Sequence, residues 1–115
     1  MAVTVLTPEK GELNKLSVFT PKAATAAADG FEFTMPKMTE EYVVIVAQNA
    51  GTTAGKLTLK KPVAGSYAAS SSDTEFSIPA GGFVQIRIES ARFADNKGKV
   101  KLVPATTDIK AAVLY

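Results

Sequence analysis

Cysteine, histidine and tryptophan are all missing from this chain of 115 residues. Without cysteine there is neither a disulfide framework nor a thiolate zinc site. Without histidine the usual general base is gone. With both missing, the usual thiol nucleophile and the commonest transition-metal ligands go too. The serines have no histidine partner, and no Gly-x-Ser-x-Gly elbow occurs. Gly81 and Gly82 precede a strand-like run rather than a helix, so they form no phosphate cradle. The chain is therefore expected not to be an enzyme and to carry no cofactor. No catalytic, cofactor-binding or metal-binding residue is assigned.

Arginine is scarce, with only Arg87 and Arg92. The 13 basic residues are spread along the chain against 11 acidic ones, for a net charge of +2. Phosphate-backbone binding needs clustered cations that release counterions, so no nucleic-acid partner is expected. Long apolar runs are also lacking. The longest, residues 42–47, falls far short of the roughly 20 residues a membrane helix needs. Residues 1–6 lack the basic and apolar regions of a signal peptide. The expectation is a cytoplasmically made chain with no membrane partner.

What is present is strand. Hydrophobic residues make up 46% and charged residues 21%, an ordinary globular balance that fits one domain over residues 1–115. Residues 2–6 and 16–19 are short β-branched or apolar runs ended by prolines, with a polar turn over 9–14 between them. Residues 22–30 are alanine-rich with almost no apolar stripe and read as a loop, with one helical turn as the alternative. Residues 31–35 alternate, as a half-buried strand should. Residues 42–47 are apolar on both parities, which marks a central strand covered on both faces.

Further strands are expected over 56–60, with Leu57 and Leu59 inward, and over 74–78, with Phe76 and Ile78 inward. In 83–89, Val84, Ile86 and Ile88 oppose Gln85, Arg87 and Glu89. Residues 95–98, Asp-Asn-Lys-Gly, form a tight-turn sequence expected to join 90–94 to 99–103 as a hairpin, and 109–115 make the last strand. The serine-rich stretch 64–73 is the expected exposed loop. About nine short strands at this spacing imply an all-β, antiparallel sandwich or barrel, immunoglobulin-like or jelly-roll-like.

Acidic side chains sit at turns (Asp29, Asp73, Asp95, Asp108) or on polar strand faces (Glu32, Glu75, Glu89), which suits solvation better than a carboxylate pair or a calcium loop. Lys56, Lys60 and Lys61 fall on one strand, and Lys97, Lys99 and Lys101 on another. If those strands are neighbours they form either a basic stripe for an acidic partner or a solvated outer face. Tyr67 and Tyr115 are either contact anchors or caps of the chain's own core.

Residues 29–93 bear a resemblance. They run Asp-Gly-Phe into the apolar strand 43–46, then Gln-Asn-Ala-Gly at 48–51 and the alternating strand 56–60. After a loop come Phe-Ser-Ile-Pro-Ala-Gly at 76–81 and Ile-Glu-Ser-Ala-Arg-Phe at 88–93. This order resembles the small β-sandwich head decoration, or capsid cement, proteins of tailed bacteriophages and prophages. The resemblance implies a non-enzymatic virion structural protein, made in the bacterial host cytoplasm, that sits on the capsid surface and stabilises the head. Its partner would be the major capsid protein, with a homo-oligomer (trimer or dimer) as a further expectation. The interface candidates are Val3, Val5, Tyr67, Arg92, Lys99, Lys101 and Tyr115. Residues 1–20 are either an N-terminal arm or, in 2–6, the first strand of the chain's own sandwich. The alternative function is a carbohydrate- or surface-binding sandwich of an adhesin or fibre, against which the lack of tryptophan counts.

Overall fold

Alternating apolar and polar residues give each strand one face to bury, and two sheets meet on those faces. The computed structural model describes residues 3–11, 14–16, 18–36, 42–62 and 72–115. In chain order the strands are β1 (Thr4–Val5), β2 (Lys22–Ala23), β3 (Phe31–Thr34), β4 (Tyr42–Asn49) and β5 (Gly55–Leu59). They continue with β6 (Thr74–Ile78), β7 (Phe83–Glu89), β8 (Lys99–Pro104) and β9 (Ile109–Leu114). One sheet has the order β1-β3-β8-β5-β6, the other β2-β9-β4-β7. Every pairing is antiparallel except β1 with β3.

The core is the sum of the inward sets. Phe31, Phe33, Leu57, Leu59, Val100 and Leu102 of the five-stranded sheet are buried against Val43, Ile45, Ile109 and Val113 of the four-stranded one. Burying each large side chain contributes about 1.5–3 kcal/mol. The all-β sandwich reading holds, as do the inward residues expected of β5, β6 and β7.

Several strand assignments do not hold. Of the run 16–19, the described residues Leu16, Val18 and Phe19 are in no strand, and Leu16 and Val18 are 93% and 81% exposed. Residues 90–94 are not the first arm of a hairpin, since Ser90–Phe93 is a single helical turn, α1. The last partner of β7 is Tyr42, at the start of β4, so beyond Glu89 an extended chain has no ladder to join. A helical turn satisfies its own backbone while it carries Phe93 and Ala94 into the core. The turn that follows does form: Asp95 accepts from the Lys97 and Lys99 N–H groups at 2.8 and 3.0 Å, and Gly98 sits at φ 81°. The stretch read as a turn over 9–14 begins instead as extended chain. Glu9 N–H donates to the Val113 carbonyl and Gly11 N–H to that of Tyr115 (2.9 and 2.8 Å). Within the alanine-rich loop, Lys22–Ala23 pairs with β9, and the Asp29 and Gly30 N–H groups close a turn on Ala26.

The two long sides of the sandwich differ. On the β1/β2 side the N-terminal segment laces the sheets together. Thr4 N–H donates to Gly30 and Leu6 N–H to Glu32 in one sheet, and Glu9 then pairs with Leu114 in the other. On the opposite side, among the described residues, nothing pairs with the outer edges of β6 and β7. There the inward-pointing Phe76, Val84 and Ile86 stay half-buried.

One end of the sandwich is pinned by Asn49, the buried polar residue at the end of β4. Its amide donates to the carbonyls of Thr53 (2.9 Å) and Ile78 (3.1 Å), and its side-chain oxygen accepts from Gly51 N–H at 2.9 Å. Its backbone N–H donates to Gly82. One side chain thus ties the β4–β5 turn to the end of β6.

Candidate functional site

The outer faces of the two sheets are chemically opposite. On the five-stranded sheet, β5 and β8 are neighbours, so the expected lysine row does come together. Lys56, Lys60, Lys99 and Lys101 all point outward there and are exposed. Carboxylates interleave them: Lys99 lies 3.6 Å from Glu32, Lys56 3.5 Å from Glu75 and Lys60 2.9 Å from Asp73. Interleaving of opposite charges weakens the long-range field that a basic stripe would project. The face is solvated and ion-paired.

Asp73 is the anchor of that face. It accepts from the Lys61 N–H at 2.8 Å, and this bond, with the Lys60 ammonium second, holds its carboxyl below the ordinary 3.8. Because the folded value is the lower one, the contribution to stability is present above the ordinary carboxylate range. It is lost as pH falls through the folded value. The site is open to water, so the effect on stability is small. An NMR titration should place the Asp73 midpoint below 3.8, and Lys60→Ala should raise it towards that value. An unmoved midpoint would show that Lys60 plays no part.

The four-stranded sheet presents an apolar outer face. Val44 and Val46 of β4 stand beside Ala112 and Leu114 of β9 in register. Val46 and Ala112 are only 7% and 4% exposed although they point away from the sandwich core. Val18, Phe19 and Thr20 form a strap over this face, between Gly11, bonded to Tyr115, and Lys22, paired with Ala111 of β9. A groove of about 630 Å³ opens between this strap and the sheet, lined by Phe19, Val44, Val46, Arg87, Leu114 and Tyr115. Val18 also lines this groove, and Leu16 and Val18 are both largely exposed. No family model, no curated protein and no solved structure matches the chain.

The sequence-derived candidates do not gather into one patch. Val5 lies on the outer face of the five-stranded sheet, in a row with Glu32 and Lys101, and Lys99 is nearby. Val3 is half-buried just ahead of β1. Arg92 projects from α1 beside a shallow groove shared with Arg87 and Phe93. Tyr115 belongs to the apolar groove of the other sheet. Tyr67 lies outside the described residues. Residues the sequence reasoning missed are Leu16, Val18, Phe19, Val44, Val46 and Leu114. Apolar character on both parities of residues 42–47 signalled that the outer face of β4 needs a cover. Nothing in the strap's own pattern identifies it as that cover. Among the described residues, no cluster of acidic side chains is arranged to hold a metal.

Proposed function

We propose that this protein is a non-enzymatic structural module that binds a viral protein shell in many copies, as a head decoration protein of a tailed phage does. The observation that carries the reading is an apolar groove on the outer face of the four-stranded sheet, lined in part by Val18 and Phe19, together with the high exposure of Leu16 and Val18. Large exposed apolar side chains held on a compact scaffold mark contact surfaces more often than chemistry. The resemblance of residues 29–93 to capsid cement proteins supplies the kind of partner, the major capsid protein. Repetition over a shell makes a modest affinity per copy sufficient.

The test is co-sedimentation with expanded heads assembled from the major capsid protein encoded alongside this chain. Wild type should pellet with the heads, and the double variant Leu16→Asp, Val18→Asp should stay in the supernatant with its melting temperature little changed. Failure of the wild type to bind at high molar excess would sink the proposal.

A further inference from the structure

We infer that β7 is a self-pairing edge, through which a second copy of this chain joins the four-stranded sheet into one continuous antiparallel sheet. Three of the four sheet edges are short or blunted. β1 and β2 have two residues each, and β6 has five and runs into Pro79. β7 has seven residues and carries neither lysine nor proline, the residues by which edges are usually protected from pairing.

The direction of its backbone groups follows from one hydrogen bond. Asn49 N–H donates to the Gly82 carbonyl, so Gly82 turns towards β4. Antiparallel ladders alternate, and Val84, Ile86 and Ile88 therefore bond to β4 as well. Phe83, Gln85, Arg87 and Glu89 turn their N–H and C=O groups the other way. This is the side on which no described strand lies.

The side chains are self-complementary about a two-fold axis at Gln85. In that register Gln85 meets Gln85 of the second copy, and their amides can exchange hydrogen bonds. Phe83, 58% exposed, lies opposite Arg87 of the second copy, so its ring gains cover from the long side chain. On the inner face Val84 meets Ile86 of the second copy, so the half-buried pair at the open side of the sandwich becomes covered. No like charges lie opposite each other. The pairing uses a different strand edge from the strap surface and stands whether or not that surface binds a capsid.

The full-length protein tests this directly. Light scattering across a concentration series should show a species of twice the 12.1 kDa chain mass growing with concentration. Gln85→Pro removes an N–H that faces away from β4, so the ladder to β4 survives while self-association weakens at least about tenfold. Phe83→Lys should weaken it similarly. In the wild type, amide exchange at Phe83 and Gln85 should slow as concentration rises, while Val84 and Ile86 stay protected throughout. A wild type that remains monomeric up to about 1 mM would overturn the inference. So would dimers in which those two amides exchange at the same rate at every concentration, or which Gln85→Pro leaves intact.

Discussion

Gly30→Ala is expected to cost about 4 kcal/mol or more, enough to leave a marginally stable domain largely unfolded. Gly30 precedes β3 with φ at 67°, and a Cβ there would be driven into the Leu102 carbonyl oxygen of β8. Both atoms belong to backbone held in the central part of the five-stranded sheet, so neither can move aside without breaking the β3–β8 ladder. Gly81 is the matched control. Its φ is 68°, yet a Cβ added there meets nothing within 4 Å. Gly81→Ala should therefore cost only the left-handed strain of about 1–2 kcal/mol. Urea unfolding of the two variants separates conformational strain from collision. Equal midpoints would refute the assignment of a close approach at Gly30.

Asn49→Ala should cost about 2–4 kcal/mol, because it removes three hydrogen bonds at once, one of them to a buried carbonyl. The Thr53 and Ile78 carbonyls lose a donor and the Gly51 N–H loses its acceptor, and the Ile78 carbonyl is at a buried site. Asn49→Asp is the sharper test. It keeps the shape and the acceptor for Gly51, but at neutral pH a carboxylate faces two carbonyl oxygens. Asp should be at least as damaging as Ala at pH 7 and should recover in part at low pH, where a protonated carboxyl can donate one bond. An Asp variant as stable as wild type at pH 7 would show that the amide's donor role is unimportant.

Much of the sandwich could be read from residues 31–35, 56–60, 74–78 and 83–89, because strict alternation names both the element and its buried face. Residues 42–47 were legible in a second sense, since two apolar parities require two covered faces. What alternation does not carry is the identity of neighbours. Residues 16–19 and 90–94 look like strands by composition, but a strand needs a ladder, and neither run has one to join. Residues 9–11 look like a turn, yet the β9 edge offered hydrogen bonds that outweighed local preference. The same limit hides the candidate surfaces. Nothing in the alternation of 83–89 says that it ends a sheet, and nothing around Val18 and Phe19 says that they share a groove with Val44 and Val46. Both facts belong to strand order.

The placement of β9 has a kinetic consequence. It is the ninth strand in sequence but an inner one in its sheet, with β4 on one side and the early segments around Glu9 and Lys22 on the other. β4 meets β7 first but waits for its second partner some sixty to seventy residues further on, and the Glu9–Leu114 pairing closes a loop of roughly a hundred residues. Contacts so distant along the chain slow the search for the native arrangement, so folding should belong to the millisecond-to-second range of sandwich proteins. Until β9 arrives, the apolar faces of β4 are exposed on the nascent protein, and that interval is when it is most open to aggregation or to capture by chaperones.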